Sequence, residues 1–325
     1  MKEILFLLVG FLLLQPGHCQ SALSPDRIPV ILDTDMDSDV DDVGALAMLH
    51  AYEKAGKVKI LAVIVTSDEK YSAPCVEAIN TYFGRSDIPI GVSQRDSLKV
   101  FSRYTEKIAD EFPHQLMSNA TAESSTTVYR RVLANQANGG VVIITIGHLT
   151  SLSRLLNSEP DSISPHNGLA LIAKKVKAWS CMGGQFPAGK EANFYRPDPA
   201  STVDCLAKWA LPVTFSGWEV GEQIVTGRES YKALSKPSSP VYKGYDYYNG
   251  FKGRASWDQI AVLEAIEGNS GYFEIDKNGY CKVTPDGSNE WRPFASHFKH
   301  GYVKIVAPRE AIQKRIEDLM NLADN

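Results

Sequence analysis

The sequence contains no cluster of basic residues, and its charges nearly balance, with 34 Lys and Arg against 38 Asp and Glu and a formal net charge of -4. Nucleic-acid-binding proteins carry a basic surface, so this composition argues against a nucleic-acid partner. The sequence also lacks internal repeats and low-complexity stretches, which argues against a repeat protein. What is present is ordinary globular composition, with 44% hydrophobic residues in a chain of 325, enough for a sizeable core.

Cysteine is scarce, and no two of the five cysteines lie close together in the sequence. This spacing excludes a zinc knuckle and a CxxC redox pair. For the four that follow the N-terminal segment, disulfides and buried free thiols both stay open, because an oxidising compartment permits pairing but the sequence does not select partners. These four are Cys75, Cys181, Cys205 and Cys281.

The N-terminus holds an apolar run, ILFLLVGFLLL at 4–14, that is too short to span a bilayer. It follows Lys2 and is ended by a proline and a glycine, a pattern typical of a secretory signal peptide. A buried N-terminal helix is the weaker interpretation, because the run has no polar face. We therefore expect a signal peptide at 1–19 and a mature chain, 20–325, that forms one domain, is secreted or periplasmic and is not bound to a membrane.

Apolar strand-like runs alternate with amphipathic helical patterns from residue 28 to about residue 211. Strands that lack polar alternation are buried on both faces, as in a parallel sheet covered by helices. The pattern therefore predicts an α/β fold with a doubly wound, mainly parallel open sheet flanked by helices. The predicted strands are 28–33, 58–66, 140–146, 176–181 and 211–215, and the predicted helices are 41–55, 73–84, 125–136, 148–157 and 201–210.

The C-terminal part is less regular. The stretch 237–255 combines prolines, glycines and five aromatic residues, and we interpret it as a loop or lid near the site, or else as a surface loop that packs on its own rings. Beyond it, the patterns predict a helix at 257–266, a hairpin at 271–284, a strand at 302–306 and a helix at 308–322.

The strongest chemical signal is the run DTDMDSDVDD at 33–42, which places six carboxylates directly after a predicted strand. Such a charge density repels itself unless a cation lies among the carboxylates or a helix N-terminus receives some of them. A solvated turn with a helix cap accounts for Asp41 or Asp42, but not for all six. Because oxygen ligands favour hard ions, the run predicts a site for calcium or magnesium.

Two other metal-dependent or acidic motifs fit this run less well. An EF-hand loop that started at Asp33 would need glycine and glutamate where the chain has Ser38 and Gly44. An aspartate-nucleophile phosphatase also begins with a strand and an Asp-x-Asp pair. It needs threonine or valine in place of Asp37, and the chain offers no convincing match to its later lysine and acidic pair, so it is a weak alternative.

The segment that combines DTD at 33–35, DD at 41–42 and VGALA at 43–47 resembles the N-terminal motif of the inosine-uridine-preferring nucleoside hydrolases. Three further segments resemble the family in the same order, and together they cover most of the mature chain. They are TIGHLTS at 145–151, MGG at 182–184 with EAN at 191–193 and DP at 198–199, and WDQIAV at 257–262.

The sequence departs from the family pattern at four places. The gap before the Asp pair is two residues longer than in well-known members, which leaves the roles of Asp37 and Asp39 open. The stretch 66–70 replaces the family's glycine and asparagine, and an asparagine is missing between residues 184 and 191. Trp257 stands where a histidine often precedes the last metal aspartate, as in purine-preferring members.

The resemblance implies an enzyme that hydrolyses the N-glycosidic bond of ribonucleosides, purine or pyrimidine, to free base and ribose, with Ca²⁺ as the cofactor. Asp35 would act as general base towards a water made more acidic by the ion, and the bond would break through an oxocarbenium-like state. His148 is interpreted as a helix N-terminal residue. The implied calcium ligands are Asp35, Asp42, the backbone carbonyl of Ile146 and Asp258, and the implied substrate-binding residues are Asp41, Glu191 and Asn193 on the ribose and Trp257 on the base.

Two alternatives to this function stay open. One is a related glycosidase that acts on another ribosyl or sugar substrate, and the other is a non-catalytic, calcium-dependent sugar-binding protein. The sequence does not give the preferred base, the group that protonates the departing base, or whether the chain forms a homo-oligomer.

Overall fold

A nine-stranded sheet organises the computed structural model, which describes residues 27–93, 101–268, 270–293 and 298–324. The strands are β1 (Ile28–Thr34), β2 (Val58–Val65), β3 (Ile90–Val92), β4 (Glu123–Ser124), β5 (Val141–Thr145), β6 (Val176–Met182), β7 (Ala188–Gly189), β8 (Val213–Ser216), β9 (Val225–Thr226), β10 (Arg254–Ala255), β11 (Phe273–Asp276), β12 (Gly279–Val283), β13 (Asn289–Pro293) and β14 (His300–Ile305). The order in the large sheet is β11-β14-β8-β6-β5-β1-β2-β3-β4. Its neighbouring strands run parallel except for the antiparallel pair β11 and β14.

Helices connect these strands and cover both faces of the sheet. They are α1 (Asp41–Lys54), α2 (Ser72–Tyr82), α3 (Thr105–Glu111), α4 (Ser125–Ala134), α5 (Thr150–Leu156), α6 (Gly168–Lys175), α7 (Ala192–Tyr195), α8 (Pro199–Lys208), α9 (Trp218–Gly221), α10 (Glu229–Lys232), α11 (Pro240–Asn249), α12 (Trp257–Glu267) and α13 (Arg309–Asp324). None of the helices among the described residues combines the length and the apolar character that a membrane crossing needs.

Successive residues of β1 pack into two apolar layers, one on each face of the sheet. Val30 and Leu32 join a cluster with α1, α12 and α13, whereas Ile31 joins a cluster with α4, α5 and α8. All three side chains are fully buried. Because side chains alternate along a strand, an uninterrupted apolar strand needs cover on both sides. The predicted mainly parallel α/β sheet, with helices on both faces and in a single domain, is confirmed.

The predicted loop at 237–255 is wrong, because most of it is helix α11. Pro240 occupies the first turn, where a missing N–H costs nothing, and the side chain of Ser239 caps that turn. Gly250 ends the helix in a left-handed conformation with φ of 64°. The prolines and glycines that suggested a loop are therefore end signals of a helix, and Tyr245 on that helix is buried in the core.

The predicted hairpin at 271–284 is also wrong. β11 pairs with β14 at the edge of the large sheet, whereas β12 pairs with β13 in a separate three-stranded sheet of order β12-β13-β7. Two strands that are separated by only two residues in sequence thus belong to different sheets, since each has a better partner elsewhere in the chain. The helix predicted at 257–266, the strand at 302–306 and the helix at 308–322 are present as α12, β14 and α13.

The structure bears on the cysteines but not on the predicted signal peptide. Cys75, Cys181, Cys205 and Cys281 are all buried free thiols. The interpretation as free thiols is therefore the one the structure favours over disulfides. The segment 1–19 lies outside the described residues.

Candidate active site

The C-terminal ends of β1, β2, β5, β6 and β8 border one cavity of about 540 Å³. Ligands of open α/β sheets bind at this edge, outside the carboxyl ends of the strands. The predicted site residues all line this cavity, and they are Asp35, Asp41, Asp42, Ile146, Glu191, Asn193, Trp257 and Asp258.

Three buried carboxylates form the centre of the site. Asp41 and Asp42 begin α1, and Asp258 lies in the first turn of α12. One ligand oxygen from each of the three lies within 4.8 Å of the others. The backbone N–H of Asp258 also donates to Oδ2 of Asp41 at 3.3 Å, which fixes one helix start against the other.

Burial raises the pKa of all three carboxyl groups, to about 7 for Asp41, and the neighbouring carboxylates raise them further. The positive ends of two helices offset part of this cost. Full ionisation of three carboxylates at this spacing calls for a cation, and an all-oxygen donor set suits calcium or magnesium. The residues present therefore fit a divalent cation.

Asp35 lies beside this cluster rather than within it. Its backbone and side chain pack directly against Gly147 in the turn after β5. Burial raises the pKa of the Asp35 carboxyl group well above its usual value, and the charge of Asp42 raises it further. The sequence assigned Asp35 to the metal and Asp41 to the ribose, whereas in the structure Asp41 belongs to the close group of three. Both assignments remain predictions.

Of the two residues that end β1, Asp33 contacts the core and Thr34 contacts the carboxylate cluster. Tyr129 donates from its hydroxyl to Oδ2 of Asp33 at 2.8 Å, and burial raises the pKa of Asp33 to about 8. The hydroxyl of Thr34 donates to Oδ1 of Asp42. Asp33, alone among the six carboxylates of the turn, does not line the cavity.

The turn after β5 and the segment after β6 meet at Asn193. Its Nδ2 donates to the backbone carbonyl oxygen of Ile146 at 3.0 Å. The sequence assigned that carbonyl to the metal and the asparagine to the ribose, but here they are hydrogen-bonded to each other. A carbonyl oxygen has two lone pairs, so this contact leaves room for a second partner.

Glu191 caps the short helix α7 and ties it to the end of β6. Its two carboxylate oxygens accept from the backbone N–H groups of Asn193 at 2.8 Å and Gly184 at 3.0 Å. Burial raises the pKa of Glu191 to about 7, although these hydrogen bonds lower it. The carboxylate is therefore held rigidly in the cavity wall beside Asn193.

Two tryptophan rings, those of Trp218 and Trp257, also line the cavity. The indole N–H of Trp257 donates to the backbone oxygen of Trp218 at 2.8 Å. The guanidinium of Arg254 lies 4.7 Å from the centre of the Trp257 ring and donates to Oδ2 of Asp39 at 2.6 Å. Sequence reasoning missed Trp218 and Arg254, although Trp218 could have been found because it lies two residues after β8, a strand that ends at the site.

Two of the departures from the family motif contact each other: the lengthened acidic turn before Asp41 and the altered stretch 66–70. The hydroxyl of Ser67, in the altered stretch after β2, donates to Oδ2 of Asp37 at 2.7 Å. Asp39 instead accepts from Arg254 and, at 3.1 Å, from the hydroxyl of Tyr248 on α11. Hydrogen bonds thus connect the lengthened turn to the loop after β2 through Asp37, and to α11 and β10 through Asp39.

These features define a class of protein, an α/β protein with a buried carboxylate cluster, suited to a divalent cation, where its parallel strands end. The chain belongs to the inosine-uridine preferring nucleoside hydrolase family, whose model matches residues 30–305. The resemblance seen in the sequence is thereby confirmed. No curated protein matches the sequence significantly.

Solved structures share the fold at low sequence identity. The effector protein XOO4466 is 14% identical, with a TM-score of 0.69 and coverage of 91% of this chain and 94% of the other. A purine-preferring ribonucleoside hydrolase from Gardnerella vaginalis is 15% identical, with a TM-score of 0.67 and coverage of 91% and 99%. An inosine-uridine preferring nucleoside hydrolase from Bacillus anthracis is 17% identical, with a TM-score of 0.67 and coverage of 91% and 98%. At these identities the likeness concerns the fold.

Proposed function

We propose that this protein is a calcium-dependent hydrolase that cleaves the N-glycosidic bond of ribonucleosides and releases the free base and ribose. The observation that carries the proposal is the group of Asp41, Asp42 and Asp258, whose oxygens lie within 4.8 Å of one another in a buried cavity. Family membership adds the type of substrate, a small nucleoside.

The proposed calcium ligands are Asp35, Asp42, the carbonyl of Ile146 and Asp258, with Asp41 as a further carboxylate at the same place. A bound divalent cation supplies positive charge that makes a neighbouring water more acidic and attracts the vicinal hydroxyls of a ribose.

The chain's own residues would then position the substrate and move the proton. Asp35 takes a proton from the attacking water as general base, a role that suits a carboxyl group with a raised pKa at the edge of the cluster. Glu191 and Asn193, which are fixed to each other by a hydrogen bond, face the ribose hydroxyls together with Asp41. Trp257 lies against the base, which the indole ring can stack on.

The test is an assay of inosine, adenosine, guanosine, uridine and cytidine with and without a chelator, read out as free ribose. We expect ribose release that is lost with the chelator and is restored by calcium rather than zinc. Asp35→Asn should abolish turnover and keep binding of ribose. A non-catalytic sugar-binding protein would bind ribose in the presence of calcium and release none from any nucleoside. A related glycosidase would spare the nucleosides and cleave another ribosyl compound.

The proposed route to the cell exterior is a signal peptide at 1–19. Expression of the full chain in a secreting host should give a product that begins at Gln20, which N-terminal sequencing or intact mass measurement can determine. A product that retains residues 1–19 would contradict this part of the proposal alone.

A further inference from the structure

Asp39 lies in the lengthened acidic turn, and three neighbouring side chains hold it in place. The hydroxyl of Tyr104 donates to its backbone carbonyl oxygen at 2.6 Å. Its Oδ1 accepts from the hydroxyl of Tyr248 at 3.1 Å, and its Oδ2 accepts from the guanidinium of Arg254 at 2.6 Å. Both carboxylate oxygens are therefore bonded to α11 and β10, and Asp39 lies outside the close group of three carboxylates.

Arg254 connects this carboxylate to the ring of Trp257. Its guanidinium lies over the ring, 4.7 Å from the ring centre. A cation is attracted to the face of an indole, and the attraction grows as water is excluded. Here water is partly excluded, because the side chains of Arg254 and Asp39 are 30% and 39% exposed. The ion pair therefore links the acidic turn to the ring that we propose lies against the base.

The ring of Trp257 is held at its edge as well as at its face. Its indole N–H donates to the backbone oxygen of Trp218 at 2.8 Å. The ring also packs closely on Gly221, where a β-carbon would lie 2.4 Å from Cδ1 of Trp257. These edge contacts fix the position of the ring, and the guanidinium of Arg254 over its face restrains its tilt.

We infer that Asp39 and Arg254 are positioning residues for base recognition: Asp39 holds the guanidinium of Arg254 against Trp257, and the guanidinium keeps the indole ring in the orientation in which it stacks on the base. The inference rests on the proposed function for the identity of the ligand. It gives Asp39 a role in recognition of the base rather than in metal binding.

A role of this ion pair at the metal site alone predicts a different pattern. Besides burial, which has the largest effect, the charge of Asp39 raises the pKa of Asp41, whereas the charge of Arg254 lowers it. Removal of two opposite charges would change calcium affinity in opposite directions. In base recognition Asp39 acts through Arg254, so removal of either side chain should have the same effect.

The contact from Asp39 to the ring is tested by ¹H–¹⁵N NMR of the indole N–H groups in the mature protein. The signal of Trp257 is assigned by its loss in Trp257→Phe. We expect Asp39→Asn to shift this signal, but to leave it in place when Arg254→Met is already present. Asp246→Asn, which changes an exposed carboxylate on α11, is the matched control and should not move it. An unmoved signal in Asp39→Asn, or an equal shift with and without Arg254, would overturn the inference.

The effect on the substrate is measured by steady-state kinetics with inosine and uridine. Asp39→Asn and Arg254→Met should each lower kcat/KM for inosine by roughly fivefold, the size expected for one cation–π contact, and less for uridine, whose base has a smaller stacking area. The double variant should lose no more than either single variant. Arg254→Lys keeps the charge but not the planar group, so its loss should be smaller than that of Arg254→Met. Equal losses for the two nucleosides, or additive losses in the double variant, would contradict base positioning.

Calcium affinity, measured by calorimetry on the same variants, separates base recognition from metal binding. Both Asp39→Asn and Arg254→Met should still bind calcium. Loss of calcium binding in Asp39→Asn would make Asp39 a metal ligand, and opposite changes of kcat/KM in the two variants would place the action of the pair at the metal site. Either result overturns the inference and leaves the proposed function intact. If the unmodified protein cleaves no nucleoside, the proposed function fails, and the NMR experiment alone decides whether the pair holds Trp257.

Discussion

Gly147 and Asp35 are in such close contact that a β-carbon on Gly147 would lie 2.6 Å from the backbone nitrogen of Asp35 and 2.8 Å from its Cγ. Real β-carbons do not approach other atoms this closely, and backbone atoms cannot yield as the end of a flexible side chain can. The absence of a side chain at residue 147 therefore lets the turn after β5 position Asp35 at the cavity.

Gly147→Ala should therefore lower kcat by roughly a hundredfold, because even a shift of about 1 Å in the proposed general base has an effect of that size. Gly140→Ala is the matched control, since its β-carbon would meet nothing closer than 3.8 Å. The measurement is steady-state kinetics with the best nucleoside from the panel. If Gly147→Ala keeps normal activity, Asp35 is either misassigned or free to move.

Removal of one carboxylate from the central cluster should have opposite effects on stability with and without calcium. In a chelator, Asp258→Asn should unfold at a higher temperature than the unmodified protein, because it relieves repulsion among three buried carboxylates. With calcium at a hundredfold excess over Kd, the unmodified protein should gain about 2.7 kcal/mol, and the variant much less.

The same thermal unfolding experiment can decide whether Asp35, Asp41 or both are metal ligands. Each variant, Asp35→Asn or Asp41→Asn, that loses the calcium-dependent gain identifies a ligand, and Asp110→Asn on the exposed surface of α3 serves as the control. An equal gain in Asp258→Asn and in the unmodified protein would show that calcium binds elsewhere.

His50 should make the protein less stable in acid. Burial lowers its pKa from 6.5 to about 4, although the hydrogen bond from its ring to Oδ1 of Asn80 at 2.8 Å raises it. The unfolded chain therefore takes up a proton between pH 6.5 and 4 that the folded protein does not. Stability from this residue is complete above pH 6.5 and is lost as the pH falls, by about 2 kcal/mol between pH 8 and pH 5.

Other groups titrate in the same range, so this effect is measured as a difference between two proteins. In His50→Gln, which can still bond to Asn80, the free energy of unfolding should fall by about 2 kcal/mol less over that interval than in the unmodified protein. Parallel pH curves for the two proteins would count against a neutral, buried imidazole.

The main elements of the fold could be predicted because the signals are local. β1 is a short apolar run with no polar alternation, and the acidic turn follows it directly. In a parallel sheet such strand ends meet at one edge, which accounts for Asp35, Asp41, Asp42 and Ile146. The other four predicted site residues came from the family resemblance, and all eight line one cavity.

The parts that could not be predicted depend on partners distant in sequence. β11 joins β14, which begins 27 residues after Phe273, and a short strand carries no local mark of such a partner. The same holds at the site. The positions of the side chains decide that Asp41, rather than Asp35, forms the close group of carboxylates with Asp42 and Asp258. The hydrogen bond between Asn193 and the carbonyl of Ile146 likewise connects two sequence segments that a motif comparison treats separately.

The two tryptophans that line the cavity, Trp218 and Trp257, lead to a prediction about the base of the nucleoside rather than the sugar. Trp257 is held from two directions, by the hydrogen bond to the backbone of Trp218 and by the guanidinium of Arg254 over its ring. If its face stacks on the base, Trp257→Ala should lower kcat/KM for purine nucleosides by about a hundredfold, with a smaller loss for pyrimidines, whose ring area is less.

Trp257→Phe keeps a ring but loses the N–H that bonds to Trp218, so it should retain most of the activity on purines and show only a severalfold loss. Quenching of tryptophan fluorescence by hypoxanthine provides an independent measure of stacking, and it should weaken in both variants. Trp209 is the control, because it is buried in the apolar layer that contains Ile31 and does not line the cavity. Trp209→Phe should therefore leave the quenching unchanged. An equal loss of kcat/KM for purines and pyrimidines in Trp257→Ala would mean that this ring shapes the site without contacting the base.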